Sequence, residues 1–181
     1  YNSGATMRSL KDKGLNIPVV SYSDDIASSD TAETVSKVKE YIDFASSIKV
    51  PYVAFWASES EGAKANVISV LSQVHEYAYE KNVTILLKTK GLFSDTSVLR
   101  DVLMEFSSDS IAALWDMYHT YCVKGEEPEK TITNLGAYVK LVHMTDAEEY
   151  GKQLKGQIEV DAETGEIMDK NVVDFRKAQG E

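Results

Sequence analysis

"IAALWDMYH", Ile111 to His119, runs apolar through Trp115, then meets a carboxylate at Asp116 and an imidazole three residues later. Aspartate is rare inside an apolar strand. A strand that ends in one places it at the carboxyl end, where parallel α/β folds gather functional side chains. Period-two alternation puts Ala112, Leu114 and Asp116 on one face, with Ala113 and Trp115 on the other. Trp115 then packs under helices while Asp116 points into a mouth. A solvated strand tip is the competing reading, and the apolar run before Asp116 weighs against it.

Four other runs share this texture: "IPVVSYS" (17–23), "YVAFWAS" (52–58), "VTILLKT" (83–89) and "VKLVHMT" (139–145). All are near-continuous in apolar residues rather than alternating, as strands buried on both faces should be. Helical periodicity fills the gaps. Val35, Val38, Ile42 and Ala45 mark a helix over 31–48, opened by an Asp30-to-Glu33 capping box. Val67, Val70, Leu71, Val74 and Ala78 mark 63–81; Val98, Leu99, Val102, Leu103 and Phe106 mark 95–106. In 128–138, Pro128 suits the first turn, and Ile132 and Leu135 are expected to face inward. The opening residues end a further helix, with Gly14 at its C-cap.

The predicted order, α-β repeated five times, implies a parallel sheet. An open doubly wound sheet and a (β/α)8 barrel both fit. No glycine-rich phosphate loop follows any strand, which removes the best sign of a nucleotide-binding sheet. Asp24, Glu59, Lys88, Asp116 and His143 stand instead at the strand tips, the barrel pattern. A full barrel takes roughly 250 residues, and this chain has 181, so an incomplete or shortened TIM-like barrel is expected over 1–147. Residues 148–181 read as an acidic C-terminal extension, a hairpin near Thr164-Gly165 followed by a short helix.

Net charge is −10, which repels phosphate backbones and makes nucleic acid a poor partner. No apolar run reaches the ~20 residues of a membrane span. The start, "YNSGATMRSL", lacks a signal-peptide pattern and an initiating methionine, suggesting an excised domain. The lone Cys122 forms no internal disulfide, which is compatible with a cytoplasmic setting, and reads as a small hydrophobe.

"LLKTKGLFSDTSVLRDVL", "LWDMYH" and "EEPEKTITNLGAYVKLVHMTD" together resemble the sugar phosphate isomerase/epimerase family, with its xylose-isomerase-like barrel. The specific part is Asp-x-x-His at 116–119 followed by His-x-x-Asp at 143–146. The resemblance implies carbohydrate metabolism: a divalent metal (Mn, Mg or Zn) in the mouth, polarising the oxygens of a small sugar or sugar phosphate while two glutamates shuttle protons through an enediol. It makes Asp116 and His143 metal ligands and His119 an added one. Trp56, Glu59 and His119 are the candidate substrate contacts, and Tyr118 and Tyr121 offer further rings for the apolar face of a sugar. Core packing explains Trp56 equally well, and a helix start explains Glu59 and Glu61. His143 reads equally as a structural histidine, and His75 as a surface one. The superfamily's apurinic-site endonucleases need clusters of metals, which three histidines and an acidic chain do not suit.

Two departures matter. Lys88 stands where the first glutamate is expected, and no strand after Asp146 supplies the second. A protonated lysine donates only and cannot be a ligand. The alternative is therefore a catalytically degenerate barrel module of a larger protein. In it the Lys88 ammonium, paired with Asp116, takes the metal's electrostatic place and no cofactor is needed. In either case open sheet edges call for a second copy or a further domain.

Overall fold

The computed structural model describes residues 3–106 and 109–145. The expected extension and Asp146 lie outside them. Five strands alternate with five helices: α1 (Ser3–Asp12), β1 (Val19–Asp25), α2 (Thr31–Ser47), β2 (Tyr52–Ala57), α3 (Ala63–Glu80), β3 (Thr84–Gly91), α4 (Thr96–Met104), β4 (Ile111–Asp116), α5 (Pro128–Leu135) and β5 (Val139–His143). All pairings are parallel, in the order β1-β2-β3-β4-β5. Each strand adds beside its predecessor. A doubly wound sheet reverses direction at a switch point; this one never does. The winding is that of a barrel, and the described residues supply five of a closed barrel's eight strands.

Near-continuous apolar runs have their physical reason in β2, β3 and β4, where both faces are covered; the edge strands β1 and β5 leave Ser21 and Val142 exposed. On the helix side Val53, Phe55, Ile85, Leu87 and Ala113 pack against Val38, Ile42, Val70, Leu71, Val74, Leu99 and Leu103. On the inner face Ala54, Leu86, Ala112 and Leu114 form a smaller cluster, flanked by Val19, Tyr52 and Leu141. Each large side chain buried this way contributes about 1.5–3 kcal/mol before entropy is counted.

Local signals set the helix ends. The Asp30 side chain accepts from the Glu33 amide at 2.9 Å. Only this half of the capping box forms as expected. The Glu33 carboxylate turns to Lys37 at 2.7 Å, and the Asp30 amide goes to the Ser28 hydroxyl. Asp95 caps α4 in the same manner, and Pro128 opens α5. Gly14 takes the left-handed conformation, φ +67°. Gly91 is required twice over: its φ is +63°, and a Cβ there would lie 2.1 Å from the Ala57 carbonyl oxygen.

Several expectations shift. β1 begins and ends two residues later than the sequence suggests. Ile132, expected inside, is 57% exposed, and Thr131 is buried instead. The reason is polar: the Thr131 hydroxyl turns in to donate to buried Glu126 at 2.7 Å. After β4 the chain makes a π-helical turn, Tyr118–Val123, which periodicity does not announce. Glu59 and Glu61 are exposed in the loop before α3, not in its first turn.

Candidate active site

Alternation carries the inner face of β3 from Leu86 to Lys88 and Lys90, and that of β4 from Leu114 to Asp116. On β5, His143 follows Leu141 and is the register partner of Asp116. Neighbouring strands lie about 4.8 Å apart, so these three residues share one rim at the carboxyl end of the sheet.

Asp116 is the fixed point, at 5% exposure. Its Oδ2 lies 3.0 Å from the Lys88 Nζ. Its Oδ1 accepts from the His119 backbone N–H at 3.4 Å. The backbone beneath is held by Thr89 of β3. The Asp116 N–H donates to Thr89 Oγ1 at 2.8 Å, and the Thr89 hydroxyl donates to the Asp116 carbonyl at 3.2 Å. Thr120 lies under the same carbonyl and accepts from the Trp115 indole at 3.0 Å.

His119 rides on the π-helical turn, edge-on to Tyr118 at 5.4 Å. Burial holds its pKa below the ordinary 6.5; the charges of Lys88 and Lys90 add to this, and Asp116 opposes it. The ring is therefore neutral near pH 7. Trp56 donates its indole N–H to the Ser23 carbonyl at 2.7 Å, and Lys90 sits over the ring at 4.7 Å. Lys88, Asp116, His119 and His143 are thus brought together. Glu59 is exposed on a loop. Asp24 turns away from the mouth, to Tyr22 and to Lys37 of α2. Its neighbour Asp25 serves the rim instead, tying β1 to β2 through the amide and hydroxyl of Ser58.

Two features were not legible from spacing. Glu126 is a buried carboxylate, yet "EEP" reads only as a helix start. It accepts from Thr96 of α4 and Thr131 of α5, pairs with Lys130 at 3.3 Å, and its backbone N–H donates to the Thr120 carbonyl at 2.8 Å. Thr89 reads as an ordinary strand residue; nothing in the sequence marks its partner 27 positions away.

The rim does not fit a divalent cation. Such an ion wants several oxygen or imidazole donors around it. Among the described residues no three of His, Cys, Asp or Glu are grouped to hold one. The Lys88 ammonium already stands against Asp116, and like charges do not share a carboxylate at that distance.

The xylose isomerase-like TIM barrel family model matches residues 5–177. The chain belongs to this family. Solved structures agree on the fold. A xylose isomerase domain protein from Planctomyces limnophilus superposes with a TM-score of 0.65 at 18% identity, covering 81% of this chain and 61% of that one. A D-tagatose 3-epimerase-like protein gives 0.67 at 19%, covering 82% and 62%. An L-ribulose 3-epimerase gives 0.69 at 18%, covering 81% and 56%. The chain therefore spans about three fifths of the length of these structures. No curated protein matches it. Among the described residues no helix is long and apolar enough to cross a membrane.

Proposed function

We propose that this family member binds a small sugar or sugar phosphate at the Lys88–Asp116–His143 rim and isomerises or epimerises it next to its carbonyl. The carrying observation is the 3.0 Å pair between the Lys88 ammonium and the Asp116 carboxylate. An enediolate gathers negative charge on the former carbonyl oxygen, and a fixed cation beside it lowers that cost. A metal supplies such a charge in the reaction the family resemblance implies; here the lysine supplies it. Asp116 and the neutral His119 are the proton acceptors at hand. Trp56 offers a flat wall, and Glu59 an acceptor for outlying hydroxyls. Sugar chemistry in the names of the D-tagatose 3-epimerase-like protein and the L-ribulose 3-epimerase supports the substrate class. The open edge at β5, with Val142 exposed, takes the rest of the barrel wall from outside the described residues or from a second copy.

The test is proton exchange. Purified protein is incubated with a panel of ketoses and their phosphates in deuterium oxide and followed by NMR. Deuterium entering the carbon beside the carbonyl is expected, with the loss of that exchange in Lys88→Met. Binding without exchange would make the chain a ligand-binding module; no binding by any member of the panel would refute the reading.

A further inference from the structure

We propose that Lys88 is an imine-forming lysine, which captures the open-chain carbonyl of an α-hydroxy ketone or aldehyde as a covalent iminium. This rests on the sugar-binding reading above, and a covalent iminium takes the place of the ammonium-stabilised enediolate. Lys88 stands where the family resemblance implies a metal-binding glutamate, and the cation it brings to the rim is a primary amine.

The placement favours attack. Lys88 stands at the carboxyl end of an inner strand face, above the buried Leu86 and Leu114. Its side chain is 22% exposed, so a small carbonyl compound reaches the nitrogen. The amine is held against one carboxylate oxygen at 3.0 Å. That carboxylate is itself fixed, through the two Thr89 hydrogen bonds and the His119 amide. The Asp116 carboxylate is a proton acceptor within hydrogen-bond reach of the amine, the geometry that proton transfer needs. Lys90, the other amine of the strand end, is occupied over the Trp56 ring.

The step balances without an oxidant or reductant. Asp116 takes one proton from the ammonium. The freed nitrogen lone pair forms the N–C bond as the carbonyl π pair moves onto oxygen. One N–H proton passes to that oxygen, giving a carbinolamine. Asp116 returns its proton to the hydroxyl, the C–O bond breaks, and water leaves. The product is a protonated imine beside a carboxylate, so total charge is unchanged. The iminium then draws electrons from the adjacent C–H bond. Asp116 takes that proton, returns it to either face of the enamine carbon, and hydrolysis releases the sugar.

The experiment uses the whole chain, dihydroxyacetone as probe and sodium cyanoborohydride to reduce any imine to a stable amine. Intact mass and peptide mapping read the adduct. One adduct per chain at Lys88 is expected, formed at least ten-fold faster than on any other lysine. Lys88→Arg keeps the charge and is expected to abolish it; Asp116→Asn is expected to slow it ten-fold or more. Adducts spread over surface lysines without enrichment at Lys88 overturn the proposal, and this wild-type result decides even if a variant fails to fold. Calorimetry with the same ketone and no reductant separates the two readings. Binding without trapping removes the imine and leaves the sugar site; neither removes both.

Discussion

Thr89 and Asp116 exchange hydrogen bonds in both directions across neighbouring strands: the Asp116 N–H donates to the Thr89 hydroxyl oxygen at 2.8 Å, and that hydroxyl donates back to the Asp116 carbonyl at 3.2 Å. Thr89 is fully buried, so water does not replace either bond. Thr89→Val keeps the shape and deletes both, leaving a buried amide unsatisfied at a cost of about 1–3 kcal/mol. Thr89→Ser keeps the hydroxyl and is expected to recover most of that. Urea unfolding of the three proteins checks it. A Val variant as stable as wild type would mean that Thr89 does not anchor the rim.

The Lys88–Asp116 pair calls for a double-mutant cycle. Removing Lys88 leaves an aspartate with a 6% exposed side chain facing no cation. A fully buried partner left alone costs roughly 3–5 kcal/mol; Lys88 keeps some solvent contact, so Lys88→Met is expected at about 2 kcal/mol. Asp116→Asn relieves the charge and, combined with Lys88→Met, is expected to cost less than the sum of the single changes. Strict additivity would show that the two groups do not interact in solution.

Replacing the lysine tests what it displaced. Lys88→Glu sets a second carboxylate beside Asp116, near His119 and His143, the donor chemistry a divalent cation prefers. The variant is expected to bind manganese at least ten-fold more tightly than wild type by calorimetry. Equal affinities would mean that Lys88 is not what keeps a cation from this rim.

Much of this was legible in the sequence, for reasons that differ by residue. The strands were visible because both faces are apolar, and Asp116 because it interrupts such a run. A lysine at a strand end where the resemblance implies a glutamate suggests the Lys88–Asp116 pairing as the alternative, and the pair forms. Alternation of helix and strand is common to barrels and open sheets; the polar strand tips point to the barrel, and the strand order bears it out. Ile132 misled because amphipathic periodicity counts apolar residues, whereas α5 turns Thr131 inward to reach a buried carboxylate. Asp24 and Asp25 are adjacent, and only the register break between Ser21 and Asp25 determines which one meets β2.

Glu126 ties the turn that bears His119 to two helices. Glu126→Ala strips the Thr96 and Thr131 hydroxyls of their acceptor, at about 2–3 kcal/mol for the buried groups left unpaired. It also removes the side chain that fixes the backbone N–H donating to Thr120. Amide hydrogen exchange is expected to quicken across Lys124 to Glu126, more than across β2. Uniform quickening would mark a global loss of stability instead of a local latch.

Asp95 contributes to the acid limb of stability, alongside Asp43 and Asp101, which are also held below the ordinary value. Its carboxylate accepts from the Ser97 hydroxyl at 2.6 Å and the Ser97 amide at 3.1 Å. The hydroxyl bond is the main reason its pKa is held below the ordinary 3.8; the amide and the charges of Lys124 and Lys130 help, and partial burial opposes them. A folded-state value below the unfolded one means the unfolded chain takes up the proton first. The stabilisation is therefore complete above the ordinary value and is lost as pH falls through it to the depressed folded value. Asp95→Ala is expected to cost about 1 kcal/mol at neutral pH, as lost N-caps do, and to flatten the fall in stability below pH 4. Asp95→Asn keeps a capping oxygen, so it should lose little at neutral pH yet show the same flattening. Denaturation midpoints for the three proteins between pH 2.5 and 6 measure both effects. An Asn variant whose acid limb matched wild type would assign that limb to other carboxylates.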